Sequence, residues 1–156
     1  MTPAILVVRK AKVVHKVLEY THDPAAASYG LEAAELLGLD PACVFKTLVA
    51  DAEGVGLVCA LVPVTGSLDL KGLADAVGAR RARMADLAAA ERATGYVVGG
   101  ISPLGQRKPL KTVIDASALL HTTVYVSAGR RGVELALAPM DLVHLTKART
   151  AAIARP

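Results

Sequence analysis

The sequence predicts an α+β fold in which a curved, mainly antiparallel β-sheet or barrel is flanked by helices. Predicted strands outnumber predicted helices, and most of them are joined by connections of hairpin length. The regular alternation of strand and helix that produces a doubly wound sheet is missing. A length of 156 residues, 53% of them hydrophobic, suits a single domain over residues 1–156 with a sizeable core.

Five helices are predicted from their start signals. A side chain that can accept a hydrogen bond from the first turn precedes a helical pattern at four positions, Thr2, Ser28, Asp69 and Asp86. The fifth helix begins at Pro139, because proline suits the first helical position. Glycine ends three of these helices, at positions 38, 78 and 95.

Strands are predicted where apolar residues alternate or run together between turn residues. These segments are 13–20, 44–50, 55–62, a short stretch near 83, 96–98, 111–115, 123–127 and 133–138. The turn at 51–54 joins the second and third segments into a hairpin.

Composition excludes several classes of protein. With no Trp and one Phe, the chain has no aromatic platform on which single-stranded nucleic acid could stack. The longest apolar runs reach only strand length, so no membrane segment is expected. The apolar N-terminal stretch precedes its basic residues, the reverse of a signal peptide, which predicts a cytoplasmic protein with reduced cysteines.

Charge is distributed unevenly along the chain. Residues 1–78 carry 6 basic and 9 acidic side chains, a net charge of −3, whereas residues 79–156 carry 12 basic and 5 acidic ones, a net charge of +7. This asymmetry is typical of proteins with a polyanionic partner. An ordinary solvated surface with a small positive excess explains it equally well.

Several familiar reaction chemistries have no sequence support. The four histidines have no zinc-ligand spacing, and no G-x-S-x-G elbow is present. The segment 100–105 has the glycine spacing of a phosphate-binding loop, but Gln106 and Arg107 replace the required Lys and Ser/Thr. We therefore expect neither a metal, nor a cofactor, nor a catalytic triad.

Three features remain as functional candidates. Lys46 is the one charge in the apolar segment 44–50, where a buried ammonium is costly unless it meets an anion. The glycine-rich segment 99–105 can expose backbone N–H donors to a developing oxyanion. The segment 125–134 predicts a hairpin whose turn carries Arg130 and Arg131. Each has an ordinary alternative: a lysine that reaches solvent at the sheet edge, a loop connector and a solvated hairpin.

Together these segments resemble the YbaK family of free-standing aminoacyl-tRNA deacylases, relatives of the editing domain of bacterial prolyl-tRNA synthetases. The matching stretches follow the family's order over nearly the whole chain: 1–4, 22–24, 44–48, 68–71, 94–96, 99–106 and 125–127. The Lys46-Thr47 strand and the long glycine loop are similar to the branch that clears cysteine mischarged onto proline tRNA.

The resemblance implies a trans-editing enzyme that removes cysteine from tRNA(Pro) without a metal or cofactor. Its expected partners are the mischarged tRNA and prolyl-tRNA synthetase. In cysteine-specific members the substrate's own thiolate attacks the ester carbonyl and leaves as a thiolactone, so the protein supplies no nucleophile. Cys43 and Cys59 match no family site.

The same resemblance implies residue roles. Lys46 anchors phosphate or ribose oxygens of the terminal adenosine, and Gly99 with its neighbours offers N–H groups to the carbonyl oxygen. The expected substrate-binding residues are Tyr20, Tyr29, Thr47, Gly100, Ile101, Ser102, Ser127 and Glu134. The expected tRNA phosphate contacts are Arg107, Lys108, Arg130 and Arg131. Tyr29 and Glu134 depart conservatively from the family's usual Phe and Asp, which bears on amino-acid selectivity.

Three other functions stay open at this point. The chain could clear alanine, serine or other small amino acids by the same type of reaction. It could be a non-catalytic module that binds tRNA or a synthetase, although binding alone does not require Lys46 and the full glycine loop. A hydrolase of small esters is a weaker option, and its rate would depend little on salt.

Overall fold

The computed structural model describes residues 1–26 and 28–156 and contains two main sheets and a small one. Its helices are α1 (Pro3–Ala11), α2 (Tyr29–Leu36), α3 (Leu70–Val77), α4 (Leu87–Thr94) and α5 (Pro139–Thr146). Its strands are β1 (His15–Glu19), β2 (Phe45–Ala52), β3 (Gly56–Pro63), β4 (Ser67–Leu68), β5 (Ala82–Met84), β6 (Lys111–Asp115), β7 (Val124–Arg130), β8 (Val133–Leu137), β9 (Arg149–Ala151) and β10 (Ala154–Arg155). Short 3-10 helices span Pro41–Cys43 and Ala116–Leu120.

The strand pairings confirm a mainly antiparallel α+β fold. The sheet orders are β1-β8-β7, β5-β2-β3-β6-β9 and β10-β4. Of the strand pairs formed by residues 1–26 and 28–156, only β3–β6 and β6–β9 are parallel. Among the described residues the pairings do not close into the barrel that was one form of the expectation. Within the described ranges, one isolated parallel bridge, between Val44 and Tyr125, joins the residue before β2 to β7.

Helix starts agree with their predicted caps. The side-chain oxygens of Thr2, Ser28, Asp69 and Asp86 each accept a hydrogen bond from a backbone N–H of the following turn. Such a cap contributes about 1 kcal/mol, because it satisfies a donor that the helix leaves unpaired. Helix α5 has no side-chain cap and begins with Pro139 at its first position.

Two segments differ from expectation. The apolar stretch 96–98 is a turn rather than a strand, because the Val98 N–H donates to the Glu91 carboxylate and the Gly100 N–H donates to the Val97 carbonyl. Strands β4, β9 and β10 were not predicted. They are two or three residues long, too short to show a hydrophobic period.

Both faces of the five-stranded sheet are buried. On one face of β2, Phe45 and Val49 pack in a core shared with β7, β8 and α1. On the other face, Ala50 and Ala52 pack against Leu73 of α3. Fully burying one such leucine or phenylalanine side chain contributes about 1.5–3 kcal/mol. This packing places β2 between two apolar layers.

No helix within the described ranges is both long and apolar enough to cross a membrane.

Candidate active site

A cavity of about 340 Å³ lies between β2 and the β7–β8 hairpin. The start of α2 and the glycine loop (residues 99–105) close its sides, and β5 with the start of α4 forms one end. The volume falls in the range typical of small-ligand sites. Its walls come from Tyr20, Ser28, Tyr29, Gly30, Val44, Phe45, Lys46, Thr47, Leu48, Val49, Met84, Ala85, Leu87, Ala90, Val98, Gly99, Ile101, Ser127, Arg130 and Glu134.

The cavity has a polar end and an apolar end. The bridge between Val44 and Tyr125 aligns β2 with β7, and Lys46 and Ser127 follow it by two residues each. Ser127 is in turn the cross-strand partner of Glu134. At the other end of β2 the Val49 carbonyl accepts a hydrogen bond from Ala85, next to Met84. Lys46, Ser127 and Glu134 therefore lie towards one end of the cavity, and Met84 and Ala85 lie beside Val49 at the other end.

Two buried oxygens at the polar end have no hydrogen-bond partner among the described residues. They are Oγ1 of Thr47 and Oε2 of Glu134. Leaving a buried polar group unpaired costs about 1–3 kcal/mol, so native proteins satisfy almost all of them. Two such atoms lining one cavity indicate a place where a ligand supplies the missing partners.

Glu134 is the most perturbed acid of the site. It lies in the middle strand of the three-stranded sheet and is only 7% exposed. Burial disfavours the charged carboxylate and raises the pKa of Glu134 to about 8. At neutral pH the group is mainly a neutral acid that can donate a hydrogen bond. The pKa of Tyr20 is raised as well, first by its own burial and then by the nearby Glu134 charge.

Lys46 brings a positive charge to the same end. It is half-buried on β2, opposite Val62 of β3. Among the ion pairs of the described residues none involves Lys46, and its ammonium makes no side-chain hydrogen bond there. A partly desolvated ammonium without a counter-ion attracts an anionic or strongly polar ligand group.

The glycine loop offers two unused donors. Gly99 and Ile101 line the cavity, and within the described part of the chain their backbone N–H groups donate to no protein acceptor. Gln106 holds the loop from behind: its amide donates to the Ser102 carbonyl at 3.1 Å and accepts from the Leu110 N–H at 3.1 Å. Two N–H groups without a protein acceptor among the described residues thus lie on a backbone held by hydrogen bonds, and oxyanion stabilisation requires preorganised donors of this kind.

Gly100 and Ser102, expected to bind substrate, do not line the cavity. The Gly100 N–H is engaged by the Val97 carbonyl, and a Cβ at Gly100 would lie 3.0 Å from Arg130 Cα. Ser102 is fully buried and its hydroxyl accepts from the Leu104 N–H. Both residues shape the loop, and their expected role in substrate binding stays a prediction.

The basic residues expected to contact tRNA occupy different places. Arg130 lines the cavity, 4.0 Å from the exposed Glu19 carboxylate. Arg131 stacks on Tyr29 and donates to the Val98 carbonyl. Arg107 and Lys108 do not line the cavity. Their backbone N–H groups bond carbonyls at the end of α4, and both side chains are exposed.

Sequence reasoning missed the apolar end of the cavity. Met84 and Leu87 line it while remaining 48% and 63% exposed. Nothing in a single exposed Met or Leu signals a site, since isolated surface apolar residues are ordinary. Only the pairing of β5 with β2 places these residues beside the cavity.

Two residues that follow Tyr20 at the end of β1 contact a carboxylate of α2. The buried Glu32 carboxylate of α2 contacts His22 Nδ1 at 2.7 Å and accepts from the Asp23 N–H at 2.8 Å. The His22 contact holds the pKa of Glu32 below its usual range, with the Asp23 hydrogen bond acting in the same direction. His22 and Asp23, which follow Tyr20 of the cavity wall, are thereby tied to α2.

The protein's own thiols lie outside the cavity. Cys59 is completely buried, which raises the pKa of its thiol to about 12. Burial also raises the pKa of Cys43, with the charge of Asp40 adding to the effect, and Cys43 Sγ lies 3.3 Å from His121 Nδ1. Neither thiol is poised as a nucleophile. Within the described ranges no three His, Cys, Asp or Glu side chains cluster as metal ligands.

Comparison with known proteins identifies the class. Residues 23–145 match the aminoacyl-tRNA editing domain, and the chain belongs to that family. It is 37% identical over 154 residues to EbsC of Enterococcus faecalis, a protein named for Cys-tRNA(Pro)/Cys-tRNA(Cys) deacylation. That alignment covers 97% of this chain and 92% of the relative. The relationship expected from the sequence motifs is confirmed.

Solved structures agree with this assignment. A crystal structure described as a trans-editing enzyme for prolyl-tRNA synthetase superimposes with a TM-score of 0.83 at 27% identity, covering 100% of this chain and 99% of that one. The hypothetical protein APE2540 has the same fold, with a TM-score of 0.87 at 24% identity, covering 99% of this chain and 100% of that one.

Proposed function

We propose that the protein deacylates cysteine mischarged onto tRNA(Pro). The observation that carries this proposal is the polar end of the cavity, where two buried oxygens without partners among the described residues line the same cavity as Lys46. Family membership and the deacylase name of the relative support the same reaction. A synthetase pocket separates amino acids of similar size by only about 1–3 kcal/mol, which is why a second site is needed.

The reaction uses the substrate's own thiol. Its thiolate attacks the carbonyl carbon of the same cysteinyl ester, and a carbon–sulfur bond forms as the carbon–oxygen bond to the ribose breaks. The products are a cysteine thiolactone and tRNA with a free ribose hydroxyl, whose oxygen takes up the proton that the thiol released. A four-membered ring is strained, so orientation by the cavity must offset part of that cost.

Each polar group has a part in this proposal. Lys46 holds ribose or phosphate oxygens. Its positive charge also favours ionisation of the substrate thiol, whose ordinary pKa is about 8.5. The free N–H groups of Gly99 and Ile101 stabilise the oxyanion that develops on the carbonyl oxygen. Thr47, Ser127, Tyr20 and the neutral acid of Glu134 supply hydrogen bonds that orient the aminoacyl group.

The proposed substrate and partner both belong to translation. The substrate is a mischarged tRNA, and prolyl-tRNA synthetase is the expected partner because it generates the error. The reaction belongs to the cytoplasm, where translation occurs. We also propose that residues 1–156 act as one domain and need no metal or cofactor.

The decisive experiment incubates the protein with cysteinyl-, alanyl- and seryl-tRNA(Pro) and follows ester loss, with mass spectrometry for thiolactone. Rapid loss from the cysteinyl substrate alone, with thiolactone trapped, is the expected result. Lys46→Ala should lower kcat by about 10²-fold or more, the usual cost of losing one electrostatic contact to the transition state. Lys10→Ala, at an exposed position of α1, is the matched control.

Other outcomes identify the alternatives. Loss of alanine or serine at comparable rates means that water is the nucleophile and that the enzyme clears small amino acids generally. Salt-sensitive tRNA binding without turnover of any substrate indicates a binding module. Turnover of a small cysteine ester at the tRNA rate indicates a small-ester hydrolase.

A further inference from the structure

We infer that Arg131 is a positioning residue that sets amino-acid selectivity by locking Tyr29 against the glycine loop, and is not a phosphate contact. Its guanidinium Cζ lies 4.3 Å from the centroid of the Tyr29 ring, and its Nη2 donates to the Val98 carbonyl at 2.8 Å. Stacking and hydrogen bonding together use both the face and the edge of the planar group. The inference rests on the proposed function, since it assigns a role within that site.

Gly99 leaves no space between the two partners. A Cβ at Gly99 would lie 2.4 Å from Arg131 Nε and 2.9 Å from Tyr29 Cε2. The residue also has φ +92°, a conformation that favours glycine. The Arg131 side chain, the Tyr29 ring and the backbone that presents the proposed oxyanion donor therefore form one packed unit.

The turn that carries Arg131 also supports the opposite wall. The Gly132 carbonyl accepts a hydrogen bond from the Tyr20 N–H at 2.9 Å, and a Cβ at Gly132 would lie 2.8 Å from the Tyr20 carbonyl oxygen. One β7–β8 turn thus anchors both tyrosines of the cavity. Displacing Tyr29 widens the space around the aminoacyl group, and a change of about one methylene in such a pocket alters discrimination by 10–200-fold.

The two possible roles of Arg131 predict opposite results for the conservative substitution. Lysine keeps the charge but has no planar face to stack while also donating to the Val98 carbonyl. If Arg131 positions Tyr29, Arg131→Lys and Arg131→Gln should lower kcat on cysteinyl-tRNA(Pro) alike, by about 10- to 100-fold. KM should change little, and the rate on alanyl-tRNA(Pro) relative to cysteinyl-tRNA(Pro) should rise.

Salt dependence provides the second readout. If Arg131 is a positioning residue, Arg131→Gln leaves the slope of log K for tRNA binding against log salt unchanged. If Arg131 instead binds a phosphate, Arg131→Gln lowers that slope by about 0.7–0.9, and Arg131→Lys restores both binding and activity. This second pattern would overturn the inference. The control is Arg92→Gln, an exposed arginine of α4 with no hydrogen bond or ion pair to the described residues.

A double-mutant cycle separates this inference from the proposed function. The unfolding free energies of Arg131→Gln, Tyr29→Leu and the double variant are measured in denaturant, without any substrate. The double variant should be destabilised little more than the less stable of the two single variants. Strictly additive losses contradict the contact whether or not the wild-type protein deacylates tRNA. If the wild-type protein leaves cysteinyl-tRNA(Pro) intact, the proposed function is wrong. The double-mutant cycle still shows in that case whether Arg131 and Tyr29 interact.

Discussion

Ser127 and Glu134 are cross-strand partners in the β7–β8 hairpin, and both line the cavity. The Ser127 hydroxyl accepts from the Gly129 N–H at 3.1 Å, while Oε2 of Glu134 has no partner among the described residues. The two side chains therefore differ in their hydrogen bonding. The Ser127 hydroxyl accepts a hydrogen bond from within the hairpin, whereas Oε2 of Glu134 is available to a ligand.

The raised pKa of Glu134 predicts an unusual dependence of stability on pH. The folded state keeps the proton up to about pH 8, whereas the unfolded chain releases it near the ordinary pKa of 4.5. Between these values the folded protein binds more protons, so stability falls as pH rises and levels off above pH 8. The loss is several kcal/mol, at about 1.4 kcal/mol for each pKa unit.

Chemical unfolding at pH 5, 7 and 9 tests this prediction. Glu134→Gln, which resembles the neutral acid in shape and donor capacity, should remove most of the decline and keep activity at pH 7. An unchanged decline in the variant would assign the pH dependence to other groups.

Thr47 is predicted to lower stability in favour of function. Its buried hydroxyl has no partner among the described residues, so Thr47→Val should stabilise the free protein by about 1 kcal/mol while lowering activity. The matched control is Thr112→Val, because the Thr112 hydroxyl is buried but donates to the Leu110 carbonyl at 2.9 Å. That control should destabilise the protein. Thermal melts and deacylation rates are compared; a Thr47→Val variant that is both less stable and fully active contradicts the assignment.

Gly99→Ala should inactivate the protein through close contact as well as through backbone strain. Its Cβ would collide with the Arg131 and Tyr29 side chains at a position with φ +92°. Gly56→Ala is the control for strain alone, since Gly56 has φ +104° with no atom within 4 Å of the added Cβ. Both should lose about 1–2 kcal/mol from the left-handed conformation, and only Gly99→Ala should lose activity beyond that. Equal activities of the Gly99→Ala and Gly56→Ala variants would show that the close contact of Gly99 with Arg131 and Tyr29 is unimportant.

Arg130 lines the cavity with an exposed side chain, and we expect it to contact the tRNA backbone. Arg130→Gln should lower the salt slope of tRNA binding by about 0.7–0.9, the contribution of one phosphate contact. Arg80→Gln, an exposed position with no role in the cavity, should change it less. Filter binding at several salt concentrations gives both slopes, and equal changes would remove Arg130 from the proposed interface.

The sequence was most informative where local chemistry decides the structure. The caps at Thr2, Ser28, Asp69 and Asp86 need only a side chain and the next turn, so they could be predicted directly. The family motifs likewise placed Lys46 and Gly99 in one site before their positions were known, and both line the cavity.

Features that depend on distant packing could not be predicted. The role of Arg131 depends on a ring in α2 and a carbonyl beside the glycine loop, neither of which is near it in sequence. Gly100 and Ser102 belong to the same motif as Gly99, but the folded loop engages the Gly100 N–H and the Ser102 hydroxyl in its own hydrogen bonds and leaves both residues out of the cavity lining. The apolar end of the cavity could be recognised only after the pairing of β2 with β5 was known.

The parallel bridge between Val44 and Tyr125 bears on the order of folding. The walls that it joins come from a hairpin in the first half of the chain and a hairpin near its end, so the cavity exists only after distant segments have met. Such non-local contacts form late, because closing a long loop must precede them. During refolding, recovery of deacylase activity should therefore lag behind recovery of the far-ultraviolet circular dichroism signal. Activity then measures the formation of the complete native topology.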